Sequence, residues 1–347
     1  MYSIKQLRNG IAQPALAYSE LEKLSIHIKY RLKALFPHKI GVQGDYNTGN
    51  IGDRALGELF KSELENTGYS TELFPSTISK SNAKYNFLGG GGVLHDWLGI
   101  DYLRTKLEYV SNGGFIIGIG VPGVQDPQAR KLVSETLPNV RLITVRDNSS
   151  KQRIQEICDV EVVVTADPAF IYNDPHVNEE YQTGVNFRPW FHLDDDTLSW
   201  YFNYDLPVSS ENANQAYIQN AQRICDNLQD PVFIPFDKRD EEFAKNHLDV
   251  KTLKYTGSVK ETLCRISAVN QMIATRFHSL IFAAICHTPV YALAYAPKVS
   301  RLAQRLNINY GKPHVAKEVE FRKPENVEQL RTLAAKNFHL AESYLSS

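Results

Sequence analysis

From residue 38 to residue 295 the chain alternates short apolar runs with stretches whose apolar positions recur three and four residues apart. Runs of four to six apolar residues predict strands buried on both faces, and the helical spacing predicts the segments between them. In the first half strands are expected over 38–43, 84–88, 115–120, 140–145 and 160–164. Leu56, Leu59, Phe60 and Leu64 mark a helix that runs to Gly68, and further helices are expected over 101–111, 126–137 and 149–157. A leading helix over 15–36 places Leu16, Leu21, Leu24, Ile28, Leu32 and Leu35 mostly at helical spacing; Pro37 ends it, and it leans on the first domain.

Residues 172–178 break the pattern and read as a linker. Beyond them strands are expected over 183–188, 232–236, 270–275 and 290–295. Helices are expected over 212–226 and 258–268, the latter opened by the capping box Ser258-Val259-Lys260-Glu261, and again from about Ser279 to Ile285. The tail, 325–345, is helical by spacing. Strands alternating with helices imply parallel sheets covered on both faces, and right-handed crossovers make each domain doubly wound. The expected architecture is therefore α/β with two Rossmann-like lobes: 1–175 with its leading helix, 176–310, and a C-terminal helix in 311–347 that returns to the first lobe.

Composition narrows the partners. Lys plus Arg number 38 against 39 for Asp plus Glu, which gives no support for nucleic acid or an anionic membrane as the main partner. Cys158, Cys225, Cys264 and Cys286 are widely spaced, so neither a zinc site nor a disulfide framework is suggested and reduced thiols in the cytosol are expected. The N-terminus lacks the apolar core of a secretory signal, and the most apolar window, Leu280 to Ala296, is interrupted by His287 and Pro289. A cytoplasmic protein is expected, at most peripheral to the inner face of the membrane.

Candidate chemistry lies at the junctions between strands and helices. Arg276 and His278 fall between the 270–275 strand and the helix that follows, where an open α/β sheet binds ligands and the helix points its partly positive end. A guanidinium fork beside a titratable imidazole suits an anion that must exchange a proton. The plain alternative is a surface arginine in a solvent ion pair and a histidine satisfied in the core. Gly89-Gly90-Gly91-Gly92, between Phe87-Leu88 and Val93-Leu94, suggests backbone approaching a ligand closely, with a flexible linker as the alternative. His95-Asp96 is a candidate polar pair. Gly118-Ile119-Gly120-Val121-Pro122-Gly123 has the form of a dinucleotide fingerprint, but Pro122 lacks an N–H and the helical pattern starts only near Asp126, so this site is set aside. Asp194-Asp195-Asp196 reads as a helix cap facing solvent in preference to a metal site, and no metal is expected.

Gly49-Asn50-Ile51-Gly52-Asp53, the four glycines, Val145-Arg146-Asp147, Asp167-Pro168-Ala169-Phe170 and Arg276-Phe277-His278, in this order, resemble the polysaccharide pyruvyl transferase family over roughly residues 40 to 300. The resemblance implies a GT-B-like pair of lobes with the active site in the cleft between them. It implies phosphoenolpyruvate as co-substrate, with no further cofactor, and a sugar acceptor in a glycan or a lipid-linked oligosaccharide. On that reading Arg188, Arg276, His278 and Ser279 bind the donor, His278 is the acid, and Asn50, Asp53, Gly90, Gly91 and His95 face the acceptor, with Asp53 or His95 as the base. Trp190-Phe191-His192 after Arg188 departs from the family's pattern. The rivals are a glycosyltransferase using a nucleotide sugar on the same architecture and a non-catalytic glycan-binding protein of a polysaccharide assembly complex.

Overall fold

The computed structural model describes residues 14–36, 38–189, 210–315 and 318–346; Trp190-Phe191-His192 and the Asp194 to Asp196 run lie outside them. The chain opens with α1 (Pro14–Leu35), β1 (His38–Gly44), α2 (Ile51–Asn66), β2 (Thr71–Pro75), β3 (Ala83–Gly89) and α3 (Ile100–Val110). It continues through β4 (Phe115–Ile119), α4 (Pro127–Thr136), β5 (Leu142–Val145), α5 (Asn148–Gln155) and β6 (Val163–Val164). The second half begins with β7 (Tyr181–Asn186), α6 (Ser210–Asp226), β8 (Pro231–Phe233), α7 (Lys238–His247) and β9 (Lys251–Thr252). Then come α8 (Val259–Ser267), β10 (Val269–Ala274), α9 (Phe277–Ile285), β11 (Val290–Leu293), α10 (Pro297–Arg305), β12 (Tyr310–Gly311) and α11 (Val327–Leu345).

The strands form two six-stranded sheets, ordered β2-β1-β3-β4-β5-β6 and β12-β11-β10-β7-β8-β9, and every named pair is parallel. These are the two doubly wound lobes that the hydrophobic pattern predicts. The central strands are buried toward their carboxyl ends, and in β4 all five residues are covered. The 160–164 expectation shrinks to Val163–Val164, because β6 pairs only with β5 and an edge strand has half the ladder to hold it.

Each helix start that matters here is fixed by a side chain. Asn50 caps α2 by accepting from Gly52 N at 3.0 Å, and Asp147 caps α5 by accepting from Ser150 N at 2.7 Å. The lobes meet at α2. Ile51 N donates to Phe236 O at 2.8 Å, and the Tyr172 hydroxyl donates to Ala55 O at 2.9 Å. The last helix lies against the first lobe: Asn337 accepts from the hydroxyls of Thr144 and Thr165 and donates to Ala166 O, while Phe338 packs edge-on against Phe60. No helix among the described residues is long and apolar enough to cross a membrane.

Candidate functional site

Strand order locates the site. From β1 the first sheet grows one way to β2, and from β3 the other way to β6; the second sheet grows from β7 to β9 and from β10 to β12. At each reversal the loops leaving the two central strands diverge and leave a crevice beyond their carboxyl ends. A single cavity of about 80 Å³ joins the two crevices. The first lobe lines it with Asn50 and Asp53 after β1, Gly91 and Gly92 after β3, and Arg146 after β5. The second lobe supplies Arg188 after β7, Arg276, Phe277 and His278 after β10, and Tyr295 and Lys298 after β11.

His278 sits in the first turn of α9, whose N-terminus has no side-chain cap and no acid in its first turn. That end therefore offers unpaired N–H groups and partial positive charge to the cavity. His278 is 6% exposed, its Nε2 has no hydrogen-bond partner and lies 3.6 Å from Asp167 Oδ1. Its other side is pressed on α2: a Cβ built on Gly52 would stand 2.0 Å from Nδ1 and 2.3 Å from Cγ. Only glycine at residue 52 leaves the ring its place.

Asp167 is buried and ties three parts of the site together. It accepts from Arg146 Nη1 at 3.1 Å, faces His278, and caps the short 3-10 turn Pro168–Ile171 through Ala169 N. Burial alone would raise its carboxyl, but contact with His278 and the charge of Arg146 outweigh that and hold it below the ordinary carboxylate value. Arg146 in turn stacks 4.2 Å above the Phe277 ring. A Cβ on Gly120 would meet its guanidinium at 2.6 Å, and one on Gly118 would strike Pro168 at 2.5 Å. Those two glycines of the set-aside dinucleotide pattern thus make room for the protein's own side chains.

Arg276 is less available than its position in sequence suggests. Its Nε and Nη2 donate to the two oxygens of Asp240 at 2.6 Å each, with Asp237 3.8 Å away, so its charge is largely compensated and two of its five N–H groups are committed. Arg188 has no carboxylate partner among the described residues; its guanidinium lies 4.5 Å above the Tyr295 ring. Lys298 stands over the same ring at 5.4 Å and over Phe277 at 5.9 Å. Tyr295 is 2% exposed. Burial would raise its phenol, yet Lys298, Arg188 and Arg276 together bring it down to about 7.

On the first-lobe side, Asp53 accepts from Asn50 Nδ2 at 3.0 Å and from Thr48 Oγ1 at 3.1 Å. Burial raises its carboxyl above the ordinary value and the neighbouring Asp45 adds to the rise, offset in part by His278. It is therefore a better proton acceptor than an exposed aspartate.

Three residues expected in the site lie elsewhere. Gly90 does not reach the cavity; it has φ +64° and a Cβ there would be 2.9 Å from Leu56, so backbone conformation and packing explain it. The Ser279 hydroxyl is spent on Arg276 O at 2.7 Å, inside the protein. His95 is 3% exposed, lies between Trp97 and Tyr102, and is pushed down to about 3 by burial and by Lys106. Its neighbour Asp96 accepts from the backbone N–H groups of Gln125 and Asp126, a structural role. Conversely, Tyr295 and Lys298 line the cavity although no motif points to them. The available signal was position, since they follow β11 as Arg276 and His278 follow β10.

A family model described as polysaccharide pyruvyl transferase matches residues 50–297. No curated protein sequence matches the chain. Among solved structures, an uncharacterized protein of Klebsiella pneumoniae subsp. pneumoniae NTUH-K2044 is similar at 14% identity over 79% of this chain and 88% of its own, with a TM-score of 0.42. The Methanocaldococcus jannaschii UDP-GlcNAc 2-epimerase, solved with UDP-GlcNAc and UDP, is similar at 10% identity over 87% and 99%, with a TM-score of 0.43.

Proposed function

The chain belongs to the polysaccharide pyruvyl transferase family, and from that premise we propose that it moves pyruvate from phosphoenolpyruvate onto two hydroxyls of a sugar as a cyclic ketal and releases phosphate. The acceptor is a sugar of a polysaccharide or of its lipid-linked precursor. The observation that supports this most is the meeting of Arg188, Lys298 and His278 of the second lobe with Arg146 and Asp53 of the first in one cavity.

Phosphoenolpyruvate carries a carboxylate and a phosphate. Arg188 and Lys298 supply most of the charge that draws them, since Arg276 is already neutralised by Asp240 and Arg146 shares its charge with Asp167, and both of these act as fixed donors. The reaction needs a proton on the methylene carbon, which His278 gives; the adjacent carbon is then open to attack by a sugar hydroxyl. Asp53 takes that hydroxyl's proton. The second hydroxyl displaces phosphate at the same carbon and closes the ketal. Of the two hydroxyl protons, one replaces the proton lost from His278 and the other leaves with phosphate or solvent.

The direct test is phosphate release from phosphoenolpyruvate across galactosides, glucosides and N-acetylmannosamine glycans. Thermal unfolding separates the rivals, since a ligand at a hundred times its dissociation constant adds about 2.7 kcal/mol. Stabilisation by nucleotide sugars with none by phosphoenolpyruvate would favour a glycosyltransferase. Stabilisation by glycan alone, without phosphate release from any acceptor, would favour a binding protein.

Two further outcomes follow from the geometry. Gly52→Ala is expected to lower kcat by roughly a hundredfold, the scale of an ångström misplacement of a reacting group, because the new methyl displaces the His278 ring. Helix propensity alone predicts a slightly more stable and fully active enzyme, so normal turnover would disprove the contact. Tyr295 ionises near pH 7, and above that pH its phenolate competes for Lys298 and Arg188. Affinity for phosphoenolpyruvate should therefore fall as pH rises through 7, by up to about tenfold per unit for one linked proton. In Tyr295→Phe that part of the slope should be absent from a calorimetric pH series.

A further inference from the structure

Beside the donor cavity lies a second cavity of about 50 Å³, separated from it by Arg146 and Lys298, which line both. Its first-lobe wall is the loop Gly120 to Pro122 with Arg146, Asp147, Ser150 and Arg153; its second-lobe wall is the start of α10, Ala296 to Lys298, with Arg301. Four cations therefore line the cavity beside one carboxylate, Asp147, which is itself committed to the N-cap of α5, while one of the four, Arg146, also pairs with Asp167 through Nη1 at 3.1 Å. Arg153 is partly spent on the carbonyls of Val121 and Pro122. Arg146 and Arg301 each keep a buried Nε without a partner. Arg146 is 4% exposed, and its Nε has no hydrogen-bond partner, Asp147 being 4.0 Å away. The Nε of Arg301 is also buried without a partner. The N-terminus of α10 has no side-chain cap and no acid in its first turn.

Two guanidinium groups whose buried Nε atoms make no bond, several like charges and an open helix end make a site built for an anion that the protein itself does not supply. We infer that this second cavity binds a phosphate group of the acceptor, so that the preferred acceptor is a glycosyl diphosphate, whether nucleoside- or lipid-linked. The inference rests on the pyruvyl transferase reading for the word acceptor, but the anion site stands on its own geometry. Placed across Arg146 and Lys298 from the donor, it anchors the sugar's reducing end while the hydroxyls remote from it meet the donor.

The test begins with calorimetric titration of sodium pyrophosphate into the protein saturated with phosphoenolpyruvate. Wild type should bind it; Arg301→Gln should bind it at least tenfold more weakly while its affinity for phosphoenolpyruvate stays within about twofold, and Arg301→Lys should recover most of the loss. In turnover, Arg301→Gln should raise KM at least tenfold for UDP-galactose or for a farnesyl-diphosphate-linked galactose, and the arm that responds identifies the linkage. KM for methyl galactoside should not change. The site is overturned if pyrophosphate merely displaces phosphoenolpyruvate, or if Arg301→Gln binds pyrophosphate normally. The acceptor assignment is overturned if KM for charged and neutral acceptors moves equally. Absence of phosphate release in wild type with every acceptor would instead sink the pyruvyl transferase reading, and the pyrophosphate titration would still decide the anion site.

Discussion

Replacing His278 by alanine is expected to slow turnover by roughly two to four orders of magnitude while leaving the fold and phosphoenolpyruvate binding in place. The ring contributes no hydrogen bond through Nε2 to the folded state, since that atom has no partner. Its loss should therefore cost stability only within the about 0.5–3 kcal/mol of ordinary substitutions. Arg188, Arg146 and Lys298 remain to hold the anion, so KM for phosphoenolpyruvate should change little beside kcat. Asp167 would then lose one of the two contacts that keep it ionised, but Arg146 still pairs with it at 3.1 Å. Steady-state kinetics with thermal unfolding of the same preparation decide the matter. Ordinary turnover would remove the acid role, and loss of folding would return His278 to the status of a core residue.

What the sequence made legible follows from how parallel sheets are built. Buried strands such as Phe115–Ile119 and Val290–Leu293 are nearly continuous apolar runs, and helices such as α2 and α8 announce themselves with Asn50 and Ser258 at their caps. The elements that escaped lack those signals. In α7, Lys238-Arg239-Asp240-Glu241-Glu242-Phe243-Ala244-Lys245-Asn246-His247, only Asp240, Phe243 and Ala244 are buried, too few for an apolar period to show. β2, β9 and β12 lie at sheet edges, where patterning is weakest.

The same division runs through the site. Arg276 and His278 were legible because a strand and its following helix fix them locally, and Asn50 and Asp53 for the same reason. That Arg146 crosses from the other lobe to stack on Phe277, or that Lys298 reaches the cavity between the lobes, depends on long-range packing that no spacing encodes. Gly90 and Ser279 were misplaced because a glycine run and a helix-start serine look alike whether they face a ligand or the protein's own interior.

The second large effect concerns stability. Asp240 is fully buried, accepts both of Arg276's committed N–H groups, and also accepts from Phe236 N at 3.1 Å. Asp240→Ala removes all of that and leaves a buried guanidinium whose nearest remaining carboxylate, Asp237, is 3.8 Å away. Breaking one side of a buried pair costs about 3–5 kcal/mol, and Asp237 should keep the loss toward the lower end. Urea unfolding should show it directly. Replacing both partners, Asp240→Ala with Arg276→Met, should recover part of the stability, because no charge is then left uncompensated. Asp240→Asn asks the functional question: it keeps the shape but returns a full positive charge to the cavity, so phosphoenolpyruvate should bind more tightly while folding weakens. If Asp240→Asn weakens phosphoenolpyruvate binding instead, the carboxylate serves by holding the guanidinium plane in place, and orientation outweighs charge at Arg276. If Asp240→Ala unfolds at the wild-type midpoint, the pair is not the buried, mutually dependent unit that its geometry indicates.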